Sequence, residues 1–155
     1  MVTQAVVIRP CEERDLAQFG SLGSARHLRY CRDEFARGPT ALTILVALDA
    51  DEVPVGKVHL DFEARANEGA AVLIAASVSP AIRNRGIGTE LMRAAEAFAC
   101  GRGCQAILLG VEDTNPRALR LYERIGYRSV GTGDFAYPGA PEPNPGTWMR
   151  KDLKC

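Results

Sequence analysis

Apolar and polar positions along the 155 residues alternate between the two-residue period of strands and the helical period, in mixed order. Residues 5–9, Ala-Val-Val-Ile-Arg, read as a strand ended by Pro10. Residues 12–19 read as a helix with acids in its first turn and Leu16 and Phe19 on one face, broken by Gly20 and Gly23. Residues 26–37 give a second helix carrying Leu28, Tyr30, Cys31 and Phe35, stopped by Gly38-Pro39. Residues 43–48 and 53–62, joined by the polar turn Asp49-Ala50-Asp51-Glu52, predict an antiparallel hairpin. Residues 71–78 are almost wholly apolar, as expected of a central strand covered on both faces.

Downstream, Ile87, Leu91, Ala94, Ala95 and Phe98 recur at helical spacing between Gly86 and Gly101, and residues 106–111 form a further short buried strand. Such a strand, helix, strand unit makes a right-handed crossover and leaves its strands parallel. Asn115-Pro116 opens the next helix as N-cap and first helical residue, and Gly126 ends it. Residues 127–130 are a strand, and residues 147–151 the closing strand. The glycine- and proline-rich stretch 131–146, with Phe135 and Tyr137, reads as a loop. With no repeat and no linker, a single domain over 1–155 is expected.

Composition narrows the partners. A formal net charge of zero gives no global electrostatic case for nucleic acid or a membrane surface. No apolar run reaches membrane-spanning length, and Met1-Val2-Thr3-Gln4 lacks a signal-peptide pattern, so a cytoplasmic location is expected. Five cysteines in no regular framework predict reduced, buried thiols, and Cys100 with Cys104 makes a poor zinc site, so no metal is expected.

The chemistry concentrates after Val78. Residues 79–89 place a basic, two-glycine loop between a buried strand and the first turn of a long helix. Free N–H groups and the positive end of the helix dipole make such a turn a phosphate site. Gly86 and Gly88 admit close backbone approach, and Arg83 and Arg85 add charge-assisted bonds.

This loop, Arg83-Asn84-Arg85-Gly86-Ile87-Gly88, stands five residues beyond Val78 and resembles the Q/R-x-x-G-x-G/A motif of the GNAT superfamily of acyl-CoA-dependent N-acetyltransferases. The helix Asn115-Pro116-Arg117-Ala118-Leu119-Arg120-Leu121-Tyr122, closed by Gly126-Tyr127, resembles the same family's second signature. The resemblance implies an α/β fold with a mixed, mostly antiparallel sheet, a central splayed parallel strand pair and helices on both faces. It implies acetyl-CoA as co-substrate, with Ala76, Ser77 and Val78 beside the pantetheine arm. Arg83, Asn84, Arg85, Gly86, Ile87, Gly88 and Thr89 would surround the pyrophosphate, and Asn115 would meet the cofactor or cap its helix. An N–H near Ala76 would polarise the thioester carbonyl.

Tyr122, two turns beyond Asn115, is implied as the general acid for the departing thiolate, with a core tyrosine as the plainer reading. The central strand has no carboxylate, and Gly110 stands where some family members place an acid. Glu112 is the first candidate for the base, with a solvated loop charge as its plainer reading, His59 as a further candidate and a water chain as an equal alternative. The expected reaction is direct attack of a primary amine, of a small molecule or peptide, on the acetyl carbonyl in a ternary complex. The alternative is a CoA-binding sensor or partner module without turnover. The loops after Phe19 and Val130 are expected to wall the acceptor side, where Asp134, Phe135, Tyr137 and Glu142 suggest a cationic, partly apolar amine. A homodimer is compatible with this reading.

Overall fold

The computed structural model describes residues 5–136 and 142–155. Seven strands form one sheet in the order β1-β2-β3-β4-β5-β7-β6. They are β1 (Val7–Pro10), β2 (Leu42–Leu48), β3 (Pro54–Asp61), β4 (Ala70–Val78), β5 (Ala106–Glu112), β6 (Arg128–Phe135) and β7 (Asn144–Asp152). Only β4 and β5 run parallel.

The helices are α1 (Glu13–Leu16), α2 (Ala25–Phe35), α3 (Ile87–Gly101) and α4 (Pro116–Arg124). Ile44, Val46 and Leu48 of β2 meet Leu16, Phe19, Leu22 and Cys31 on one face of the sheet. On the other face Leu45, Ala47, Leu60 and Leu73 meet Ile87, Leu91, Ala95 and Ala99 of α3. The two-residue period of β2 thus feeds two cores, which explains why every residue of that strand is buried.

Two expected elements differ. Residues 12–19 hold only the single turn α1, followed by a 3₁₀ turn at Phe19–Leu22. Asp15 takes both guanidinium nitrogens of Arg9, at 2.7 and 3.0 Å, and its carboxylate accepts the Glu12 N–H. That anchors the turn to β1.

Within the stretch 131–146, expected as a loop, residues 131–135 and 144–146 are strand, with Thr132 opposite Thr147 and Gly133 opposite Gly146. The glycines make room for rings: a Cβ at Gly133 would stand 2.7 Å from Trp148 Nε1, and one at Gly146 would strike Phe135. Tyr137 lies outside the described residues.

The cysteines also depart from expectation. Cys100 at the end of α3 and Cys155 form a disulfide, with their Cα atoms 5.5 Å apart, while Cys11, Cys31 and Cys104 are free. The Leu153 N–H donates to Gln105 O at 2.8 Å, which carries the last residues back along the start of β5 toward the end of α3. A bridge across 55 residues leaves no local trace in the sequence.

Candidate active site

The parallel pairing of β4 with β5 runs from Ala70–Ala106 to Leu73–Leu109 and then stops. Beyond it β4 stays on β3 and β5 stays on β7, so the two strands part and open a cleft. A bulge marks the parting. His59 faces Ile74 and Lys57 faces Ser77, so Ala75 and Ala76 together oppose Val58. Ala75 has φ +55°, left-handed for a residue with a Cβ.

Fully buried polar residues of β3 lie behind the bulge. Lys57 Nζ donates to Ala75 O at 2.8 Å and lies 3.1 Å from His59 Nε2. Burial pushes Lys57 down to about 8 and, with the Lys57 charge, His59 down to about 4. Burial alone would raise Glu34, but the neighbouring His59, Arg37 and Tyr30 bring it down to about 2. Tyr30 donates to Glu34 Oε1 at 2.8 Å, and its ring stacks on His59 at 5.7 Å. His59, weighed as a base from the sequence, stands behind the strand among these groups, and it is not among the residues lining the cleft.

Past β4 the chain turns into α3 through Asn84 (φ +66°) and Gly86 (φ +84°). Arg83 Nε donates to Val78 O at 3.2 Å, and Arg117 of α4 donates to Asn84 Oδ1 at 3.3 Å. The first α-helical bond runs from Glu90 N to Gly86 O, which leaves the N–H groups of Ile87, Gly88 and Thr89 without helical acceptors. A Cβ at Gly88 would meet nothing within 4 Å, so the backbone here faces open space. Ile87 presents only its backbone, because its side chain is core.

Two cavities fill the parting and share Ala76, Ser77, Asn115 and Ala118. The larger, about 1080 Å³, runs past Val78, Arg83, Asn84, Gly86, Ile87, Gly88 and Thr89. It also gathers Arg117, Arg120 and Arg124 from α4, which sequence reading did not single out. Their spacing of three and four residues puts them on one helix face, and that spacing was the available signal. Arg85 is exposed and is not among the lining residues.

The smaller cavity, about 710 Å³, holds Tyr122, Glu112, His27, Tyr30, Phe135 and Trp148. Tyr122 stands edge-on to Tyr127 at 5.9 Å, and burial pushes its hydroxyl up, so it stays protonated well into the alkaline range. Asn115 caps α4 by accepting the Ala118 N–H at 3.2 Å, the plainer of its two expected roles, and it also lines both cavities. Phe135 and Ala136 line the smaller cavity, whereas Asp134 and Glu142 do not. The loop after Phe19 lines the larger cavity through Ser21, Leu22 and Gly23.

The sequence profile of the acetyltransferase (GNAT) family matches residues 10–127. The chain belongs to this family. It is an N-acetyltransferase with an acyl-CoA as co-substrate and an amine as acceptor, and the family assignment does not favour a sensor without turnover.

Among curated relatives, aminoglycoside N(6')-acetyltransferase type 1 from Klebsiella aerogenes is 28% identical over 80% of this chain and 90% of its own length. Mycothiol acetyltransferase from Mycobacteroides abscessus is 37% identical over 52% of the chain, and that match spans only 25% of the relative. Spermidine/spermine N-acetyltransferase SpeG from Vibrio cholerae shares the fold, with a TM-score of 0.75 and 19% identity over 94% of this chain and 91% of that one. A GCN5-related N-acetyltransferase from Kribbella flavida does so with a TM-score of 0.74 and 22% identity, covering 96% and 98%.

The cleft fits an acyl-CoA. Its β4 wall has strand backbone outside both ladders at Ala76, its far end has helix N–H groups behind an open Gly88, and arginines flank that end.

Proposed function

We propose that this domain transfers the acetyl group of acetyl-CoA to the primary amine of a small molecule that carries one amine on an apolar or aromatic body. The observation that carries the acceptor class is the smaller cavity. Tyr30, Tyr122, Phe135 and Trp148 line it, Glu112 is its only carboxylate, and no lysine or arginine lines it among the described residues. One ammonium can face Glu112 and the ring faces, whereas a polyamine or aminoglycoside would leave further cations without partners.

Acetyl-CoA bound in the larger cavity supplies an acyl group activated as a thioester. The Ala76 N–H, outside both strand ladders, would donate to the acyl carbonyl oxygen. The free N–H groups of residues 87–89, with Arg83, Arg117, Arg120 and Arg124, would bind phosphate. Glu112 would hold the acceptor ammonium and take its proton, leaving the nitrogen lone pair free to attack. The Tyr122 hydroxyl would give its proton to the departing sulfur, and the second proton that the nitrogen sheds as the amide forms would restore the phenol. Cys31 is buried and neither cavity is lined by a cysteine, so direct attack in a ternary complex is favoured over a cysteine relay.

The test is thiol release from acetyl-CoA over an amine panel. Phenethylamine should exceed spermidine and kanamycin by about tenfold or more in kcat/KM, roughly the discrimination one unpaired buried charge provides. A preference for spermidine or kanamycin would refute the acceptor class.

A further inference from the structure

Lys57 is the only lysine or arginine fully buried among the described residues, and no carboxylate touches its ammonium. A buried cation with no ion pair costs several kcal/mol unless its donors are satisfied, so its presence in β3 asks for a reason. Its bonds supply one. Nζ reaches the Ala75 carbonyl at 2.8 Å and the His59 ring nitrogen at 3.1 Å, with the Cys31 thiol beside the same ring nitrogen at 3.8 Å.

The Ala75 carbonyl is no ordinary strand acceptor. It belongs to the bulge, where the backbone is left-handed and neither neighbouring strand provides a ladder partner. The peptide that follows is trans, so the Ala75 carbonyl and the Ala76 N–H point in opposite directions across one rigid plane. Fixing the carbonyl on the Lys57 side of β4 therefore fixes the N–H on the other, and Ala76 lines both cavities.

We propose that Lys57 is a positioning residue for acyl transfer: its ammonium holds the Ala75 carbonyl and so aims the Ala76 N–H at the acyl carbonyl oxygen. This rests on Ala76 being the donor to that oxygen, as in the reading above. Lys57 touches neither substrate. It acts through one peptide plane, and the strained Ala75 conformation persists because Lys57 anchors it. The charge matters because a charge-assisted bond is about twice as strong as a neutral one.

The test uses two non-reactive ligands: S-acetonyl-CoA, which keeps a carbonyl near the acyl position, and S-propyl-CoA, which does not. Calorimetry gives their affinity ratio in the wild-type chain and in Lys57→Met, which keeps length and burial but not the donor. In the wild type the acetonyl ligand should bind about tenfold tighter, the effect of one good hydrogen bond. In Lys57→Met the ratio should fall to about one while S-propyl-CoA affinity changes less than about threefold. Turnover should show the same split, with kcat down about tenfold or more and KM for acetyl-CoA little changed.

No preference in the wild type would refute the role of Ala76. A wild-type preference retained in Lys57→Met would refute the role of Lys57 alone. If the variant does not fold, the ratio is followed in wild-type protein as pH rises from about 7 to about 10, through the range where Lys57 loses its charge. The groups facing Lys57 are His59 on its own strand, His27, Cys31 and Glu34 of α2, and Cys11 beyond β1. Among them Cys11 is pushed up to about 12, and His59 and Glu34 are held down to about 4 and about 2. A ratio that falls with a midpoint near 8 supports the proposal, and a flat ratio overturns it.

Discussion

The Phe135 ring of β6 occupies the space that a side chain at residue 110 of β5 would need. A Cβ built on Gly110 would strike three ring carbons, so glycine and phenylalanine fill one volume between them. The wall of the smaller cavity at this point is therefore apolar and aromatic. An acid cannot be placed at position 110 without moving Phe135, which leaves Glu112, two residues on, as the carboxylate of that wall.

Gly110→Ala should accordingly destabilise the fold by about 1–3 kcal/mol through overpacking. Adding Phe135→Leu should return part of that loss. Urea denaturation of the two single variants and the double variant measures the coupling, and additive effects would show that the two residues do not share the space.

Gly86 and Gly88 should separate under substitution. Gly88→Ala enters open space inside a helix, so it should keep or raise stability by up to about 1 kcal/mol while weakening CoA binding. Gly86→Ala forces a Cβ into a left-handed conformation and should cost about 1–2 kcal/mol. Melting curves with calorimetric titration of CoA check both. Intact CoA affinity in Gly88→Phe would mean that the phosphates lie elsewhere.

The β2–β3 hairpin, the parallel pair and the crossover into α3 were legible because apolar periodicity and the Gly86 and Asn115 signals are local. The hairpin 128–152 was not, since its glycines look like turn residues until Phe135 and Trp148 are seen filling their faces. Of the loop residues read from the sequence, Arg83, Asn84, Gly86, Ile87, Gly88 and Thr89 line the larger cavity and Arg85 does not, and the arginine face of α4 was not singled out. The smaller cavity was the least readable part. His27 and Tyr30 come from α2, Phe135 from β6 and Trp148 from β7, and only the fold brings them together. Lys57 and His59 share one strand face by their spacing, but nothing in the sequence says that β3 is covered there.

Acid should weaken the fold first through His59. Its folded pKa, held down to about 4 by burial, lies below the ordinary histidine value, so the unfolded chain binds the extra proton. The stability is fully present above about pH 6.5 and declines toward about pH 4, by on the order of 3 kcal/mol. Glu34, held down to about 2, adds a second loss below the ordinary carboxylate range. Denaturation midpoints across this interval should fall in the wild type, and the limb between about pH 6.5 and 4.5 should flatten in His59→Gln. An equal slope in the variant would assign that limb to other groups.

The Cys100–Cys155 bridge should stabilise without touching catalysis. Closing a loop of 55 residues is worth about 4 kcal/mol in the chain-entropy account. Reduction, or Cys155→Ser, should lower the melting temperature and leave kcat/KM at 25 °C within about twofold, since neither cysteine lines the cleft. A large loss of activity with an intact fold would contradict that separation.

In the proposed reaction the parted β4–β5 cleft binds acetyl-CoA and passes its acetyl group to an amine, with Tyr122 protonating the sulfur. Steady-state kinetics of Tyr122→Phe, paired with calorimetric binding of acetyl-CoA, tests it most directly. In Tyr122→Phe, kcat should fall by about two to four powers of ten while acetyl-CoA affinity stays within about threefold. Unchanged kcat in Tyr122→Phe, or a wild-type protein that binds acetyl-CoA and acetylates no amine, would contradict it.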